Sequence, residues 1–342
     1  MNNKLALTLA LASAPFFGQY AMADITVMSH GGANKEAQAV AFYKPYTDEV
    51  GTKIIAGEFN GEMAKIKAMV DTGTVTWDVV EMEMPVLSRA CDEGLLEEFS
   101  PNPSVAQQLL PEALNTCGVG FFVWSTVLAY NADKLKVAPT GWADFWDLKK
   151  FPGKRGLRKG ALNTLEFALL ADGVPAADVY TVLATKEGQD RAFRKLDEIK
   201  PSIQWWEAGA QPPQFLAAGD VVMSSAWNGR ISAVQKDSNL RIVWNGGIYD
   251  MDAWVIPKGS KNVAEAKKFI DFTLASQQQK AFSEKVSYGP VNIYALKLLP
   301  TERRDSLPTA DANLSQQLHV NAAFWADYGE QLEQRFNSWA AR

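Results

Sequence analysis

The chain has 342 residues, 47% of them hydrophobic, with 34 Lys+Arg against 39 Asp+Glu and a formal net charge of −5. A net-acidic chain argues against nucleic acid as a partner, and any basic site on it must be local. The length buries a core without difficulty and favours two domains over one.

Taken in chain order, residues 1–23, "MNNKLALTLALASAPFFGQYAMA", carry an early cation at Lys4, an apolar run from Leu5 to Phe17, and Ala21-Met22-Ala23 before Asp24. That is the layout of a secretory signal peptide, with cleavage expected between Ala23 and Asp24. The run is too short for a membrane span and is interrupted by Ser13 and Pro15. The mature chain is therefore expected to be a soluble protein of the periplasm. Its two cysteines, Cys91 and Cys117, are an even count in an exported protein and predict one disulfide. In the chain-entropy view such a bridge contributes about 3 kcal/mol.

"ITVMS" (25–29) reads as a buried strand leading to Gly31-Gly32 and a helix; "TKIIA" (52–56) reads as the next strand. A helix with Met63, Ile66, Met69 and Val70 on one face follows, then the strand "WDVVEMEM" (77–84). This alternation predicts an α/β fold with a parallel sheet. Near 127–135 the composition changes and a second α/β stretch begins. It has helices around 141–148, 163–172 and 188–200, and strands near 203–207, 221–226 and 241–244. One long helix is expected from about Ala264 to Lys285, and another near 320–340.

Enzyme motifs fail one by one. The two histidines, His30 and His319, form no H-E-x-x-H, and no cysteine pair has zinc spacing. No G-x-S-x-G elbow occurs, and "PGKRGLRKG" lacks the P-loop order. The pairs Glu81/Glu83 and Asp250/Asp252 sit side by side on strands, whereas glycosidase carboxylates flank a bond from opposite sides. No enzyme, no metal and no cofactor is expected, and His30 reads as a loop residue.

One stretch asks for a guest. In "GGIYDMDAWVIPKG" (246–259) the alternation projects Asp250 and Asp252 to the same side of a strand. Two such carboxylates repel, and each is costly to bury without a partner. They either pair with Arg230 or Lys258 or wait for a cation.

The stretches "WDVVEMEMPVLSRACDEGLLEEFS", "STVLAYNADKL", "TGWADFWDLKKFPGKRGL", "AAGDVVMSSAWNGR", "GGIYDMDAWVIPKGSKN" and "KKFIDFTLASQQQKAFSEKVSYGPVN" fall in an order that resembles the periplasmic substrate-binding proteins of ABC importers. Within them the closest resemblance is to the spermidine/putrescine-binding group. The resemblance implies a type II two-lobe protein with a hinge, a ligand cleft between the lobes, and delivery to an inner-membrane ABC permease. Lobe 1 is expected over 24–130 plus about 256–305 and lobe 2 over 131–255, crossing near Tyr130-Asn131 and Trp254-Val255, with 306–342 packing across both. A monomer is expected.

By position, the resemblance puts Trp227 at a stacking tryptophan, Asp252 at the amine-binding carboxylate and Tyr288 at a cleft tyrosine. The chain departs from polyamine binders at Arg158, Lys159, Gly160 and Asn163, where they carry acids, and at Arg230 after the tryptophan. Arg230 with Asp252 would suit a zwitterion such as 4-aminobutyrate, so the ligand is expected to be a polyamine or an ω-amino acid. Asp250, Trp254, Trp206, Gln211, Glu83 and Glu81 complete the expected lining, with the turn Ser29-Gly31-Gly32 offering backbone N–H groups to an anionic end. A sugar-binding relative and a secreted hydrolase are the alternatives, the first because 11 tryptophans could stack on sugar rings.

Overall fold

Eleven strands form one sheet in a computed structural model that describes residues 24–59, 61 and 63–342; the expected signal peptide lies outside the described residues. They are β1 (Ile25–Ser29), β2 (Ile54–Glu58), β3 (Val79–Glu83), β4 (Leu114–Asn115), β5 (Gly118–Asn131), β6 (Arg155–Arg158), β7 (Ile203–Trp206), β8 (Met223–Trp227), β9 (Leu240–Val255), β10 (Gly289–Pro290) and β11 (Leu318–His319). The main path runs β2-β1-β3-β9-β5-β8-β6-β7. At one end β1 pairs parallel with β2 and β3; at the other β6 pairs parallel with β7 and β8. Between them β5 and β9 run antiparallel over their whole length, from Gly118 opposite Val255 to Asn131 opposite Leu240.

Beside a smaller cluster of Ala129, Leu216, Val221, Ala226, Ile231 and Leu240, two large apolar cores divide along that central pair. One gathers Ile25, Phe42, Leu87, Phe121 and Trp124 with Met251, Trp254, Phe269 and Phe282. The other gathers Leu128, Phe145, Phe167 and Phe193 with Ile248, Trp325 and Phe336. The cores part between Trp124 and Leu128 on β5 and between Ile248 and Met251 on β9. The ladder shifts register between Thr126 and Leu128, where one strand passes from one core to the other. β5 and β9, at 14 and 16 residues, are each long enough to serve both halves.

Two further elements differ from the sequence reading. β5 is 14 residues and almost wholly buried, so it lacks the alternation that marks a half-buried strand. The helix expected over 264–285 is two helices, Val263–Thr273 and Ser276–Lys285. Leu274 and Ala275 break it, and side chains take the freed carbonyls: Gln279 donates to Thr273 O at 3.0 Å and Asn292 to Leu274 O at 3.0 Å. The last helix, Ala322–Ala340, is capped by the Asn321 side chain, which accepts from the Phe324 N–H at 2.9 Å. Phe324, Trp325, Leu332 and Phe336 bury one face of it in the second core, and it also touches the helix Met84–Asp92 of the first half.

The expected disulfide is present. Cys91, in the helix Met84–Asp92, is bonded to Cys117 just before β5, closing a 26-residue separation with Cα atoms 5.8 Å apart. Among the described residues no helix is long and apolar enough to cross a membrane.

Candidate functional site

Parallel strands with helices on their faces leave a crevice beyond their carboxyl ends. Here five strands end on chemistry at that level. β1 is followed by His30, β3 ends on Glu83, β6 ends on Arg158, β7 is followed by Glu207, and β8 ends on Trp227. All five residues line one cavity of about 430 Å³, with Gly31, Asn34, Phe122, Trp124, Ala208, Gly209, Arg230, Asp252 and Tyr288. Arg230 lies in the first turn of the helix Asn228–Val234, which follows β8 without a gap.

The walls differ in charge by half. From the first half come Asp252 and Glu83, opposite one another in the β3–β9 ladder. Trp124 Nε1 donates to Asp252 Oδ1 at 2.8 Å, and His30 Nε2 lies 3.9 Å from Asp252 Oδ2. Behind them Glu81 is fully buried. It accepts from Asn34 at 2.6 Å, from Gln38 at 2.9 Å and from the His30 N–H at 3.3 Å. Burial holds the Asp252 carboxyl well above the usual carboxylate range, and neighbouring Glu81 pushes it further. Burial raises Glu81 too, against its hydrogen bonds, and the two carboxyls share a hydrogen bond.

From the second half come two guanidiniums and Glu207, whose carboxylate is paired with Lys159 at 2.9 Å. Arg158 stacks over the Trp227 ring at 5.4 Å, and neither it nor Arg230 is in an ion pair among the described residues. Arg158 Nη1, Arg230 Nε and Trp227 Nε1 are all shielded from solvent and meet no acceptor among the described residues. Gly209 lets the loop press on the indole: a Cβ there would fall 2.3 Å from Trp227 ring carbons. Tyr288 stacks on Phe122 at 4.8 Å, and burial pushes its hydroxyl up to about 12.

Of the residues expected from sequence, Asp252, Trp227, Arg230, Tyr288, Glu83 and Gly31 line the cavity. The others serve it from behind or not at all. Trp254 is core, stacked on Phe121 at 3.9 Å with its N–H on Thr273. Trp206 is buried with its N–H on Ser225 and its ring edge-on to Trp227, which it backs. Gln211 accepts from the Glu207 and Ala208 N–H groups, both at 2.8 Å, and so shapes the lining loop without lining it.

Asp250 is buried outside the cavity lining, with Oδ1 on the Met251 N–H and its pKa held well above the usual range by burial and then by Glu83. Glu81 and Ser29 are both fully buried. Gly32 abuts the Arg230 guanidinium, 3.8 Å from Nη1 to a Cβ built there. One N–H of the turn after β1, that of His30, is taken by the protein's own Glu81 at 3.3 Å.

Sequence reasoning missed Trp124, Phe122, Asn34 and the loop Glu207-Ala208-Gly209 as lining, and read His30 as a loop residue. Arg158 stood out only as a departure from polyamine binders. The run of cations Lys154, Arg155, Arg158 and Lys159 does not say which one reaches the cavity. Arg155, at the opposite end of β6 from Arg158, is buried away from the cavity lining and donates to the carbonyls of Phe145, Gly153, Asp147 and Phe151.

Comparison with known proteins agrees with this architecture. A gamma-aminobutyric acid-binding protein of Pseudomonas aeruginosa is 57% identical over 339 residues, covering 98% of this chain and 95% of that protein. The spermidine/putrescine-binding periplasmic protein of Escherichia coli is 25% identical over 273 residues, 75% of each chain. Among solved structures, a GABA receptor matches with a TM-score of 0.85 and 35% identity over 93% of this chain and 98% of its own. The binding protein MotA of A. tumefaciens B6, solved in complex with glucopine, matches at 0.84 and 29% over 93% and 99%. The profile of bacterial extracellular solute-binding proteins matches residues 20–298, and the chain belongs to that family.

Proposed function

We propose that the chain captures a small ω-amino acid of the 4-aminobutyrate type between its two halves and delivers it to an inner-membrane ABC permease from the periplasm. The observation that carries this is the division of charge around one cavity: Asp252 and Glu83 from one half, and unpartnered guanidinium and indole N–H donors from the other, whose own acid Glu207 is already paired with Lys159. A ligand ammonium would donate to Asp252 and Glu83, and charge-assisted bonds of this kind are about twice as strong as neutral ones. Its carboxylate would accept from Arg158, Arg230 and Trp227, ending their unsatisfied burial. Phe122, Trp124, Trp227 and Tyr288 offer aromatic faces to the methylenes between.

Such a ligand bridges the halves, so its binding energy falls on the closed arrangement more than the open one. The lobe boundary in this reading falls where the cores part on β5 and β9. A diamine would put a second cation against the two arginines, a like-charge contact that disfavours it. The identity to the P. aeruginosa protein and the likeness to the GABA receptor support the same ligand class. A neutral sugar would leave both charge groups uncompensated, and the sugar-binding alternative is not favoured.

Isothermal titration of the mature chain, freed of co-purifying solutes, with 4-aminobutyrate, putrescine and a maltooligosaccharide decides the matter. Binding of 4-aminobutyrate at least 100-fold tighter than putrescine is expected. Equal affinities, or silence with 4-aminobutyrate, would overturn the reading.

A further inference from the structure

Beside the cavity floor three groups from different strands come together: His30 after β1, Glu81 of β3 and Asp252 of β9. An imidazole nitrogen and one oxygen from each carboxyl all lie within 4.8 Å of one another. We propose that this triad is a binding site for a first-row divalent cation of the zinc type.

The chemistry of the donor set favours it. His30 Nδ1 faces the Phe59 carbonyl oxygen at 3.2 Å, an acceptor that only an N–H can satisfy. The proton on Nδ1 leaves Nε2 as the lone-pair nitrogen of the neutral ring, and a histidine held through its other nitrogen by a carbonyl is the usual arrangement of a metal ligand. Nε2 is shielded from solvent and has no hydrogen-bond partner among the described residues, with Asp252 Oδ2 at 3.9 Å.

The carboxylates are oriented in the same way. Trp124 takes Asp252 Oδ1, and Asn34 and Gln38 fix Glu81 from behind. These are the outer hydrogen bonds that position ligands at metal centres. A cation entering between the two carboxyls would displace the proton of the hydrogen bond they share. Two donors each about 2.1 Å from a tetrahedral zinc are about 3.4 Å apart, so the triad needs to contract by up to about 1.4 Å. One neutral imidazole and two carboxylates balance the charge of a divalent ion. Asp252 is also the carboxylate offered to a ligand ammonium in the proposed function, so zinc and the amino acid would compete for it, whereas His30 and Glu81 belong to the metal site alone.

The test uses the chelator-stripped mature chain and zinc chloride. The protein has two histidines, so imidazole nitrogen NMR assigns the ligand without ambiguity. One equivalent of zinc is expected by calorimetry, with the His30 Nε2 resonance shifted and His319 unmoved. Replacement of His30 by glutamine, and of Asp252 by asparagine, should each weaken zinc at least tenfold. Absence of stoichiometric zinc, a shift at His319 in place of His30, or undiminished affinity in a folded His30→Gln protein would overturn the proposal. The NMR experiment on the unaltered chain stands even if a variant fails to fold.

Discussion

The indole of Trp124 donates to the Asp252 carboxylate at 2.8 Å, across the ladder of the two strands that join the halves of the molecule. The bond fixes one oxygen of a buried acid and leaves the other to the cavity. It also makes an aromatic wall residue answer for the orientation of the charged one. Replacing Trp124 by phenylalanine retains most of the apolar surface and removes the donor. A loss of about 1–2 kcal/mol in 4-aminobutyrate binding is expected, roughly 5- to 30-fold by calorimetry. An unchanged affinity would show that the acid needs no such hold.

Asp252 itself should matter more. Its change to asparagine keeps the shape and removes the charge that faces a ligand ammonium. Truncating one partner of a desolvated charge pair costs about 2–4 kcal/mol, or roughly 30- to 1000-fold in affinity. Titration of the variant with 4-aminobutyrate checks this, and a change below fivefold would remove Asp252 as the amine anchor.

The arginines predict selectivity. Arg158→Ala and Arg230→Ala should each weaken an ω-amino acid by tenfold or more while leaving the weak binding of putrescine unchanged or improved. Parallel loss for both ligands would mean that the guanidiniums hold the fold and do not read a carboxylate.

Glu166 gives the fold a pH dependence of its own. It is buried in the helix Thr164–Ala171 under the last helix, accepting from Trp325 Nε1 at 2.8 Å and from the Tyr180 hydroxyl at 3.3 Å. Burial raises its pKa from 4.5 to about 7. Between those values the native state keeps a proton that the unfolded chain has lost, so stability falls as pH rises. The contribution is whole below the usual carboxyl range and gone above about 7. Its size is on the order of 3 kcal/mol. Denaturant unfolding from pH 4.5 to 8 should show this decline, and Glu166→Gln should flatten it; an identical slope in the variant would exclude Glu166 as its source.

Removing the Cys91–Cys117 bond by replacing both cysteines with alanine should cost about 3 kcal/mol in denaturant unfolding. The effect on ligand affinity should be small, because neither cysteine lines the cavity. A stability change under 1 kcal/mol would mean that the unfolded chain is already held compact there.

How much of this could be read from residues alone depended on what surrounds each one. β1, β7 and β8 lie within two residues of where their apolar runs put them, since short strands between helices are bounded by turn residues. β5 escaped because it is apolar on both faces, and Trp124 escaped with it: nothing in "GFFVWSTVLAY" marks the one side chain whose N–H has a task. The paired carboxylates Asp250 and Asp252 stood out by charge and alternation, while the family resemblance singled out Asp252 between them and pointed to Trp227. Trp254 looked equivalent to them from two residues away, yet the strand carries it past the cavity into the core, where Phe121 covers it. Arg158 and His30 needed the topology, because only the arrangement of strand ends brings them to one place.

The central antiparallel pair has a consequence for biogenesis. The first core is not complete until Met251, Phe269 and Phe282 have joined residues more than a hundred positions earlier in the chain. The amino-terminal segment therefore cannot finish folding while the ribosome is still making the middle of the protein, although amino-terminal domains of other chains commonly do so. A polypeptide built in this order stays open and uncollapsed until synthesis is nearly done.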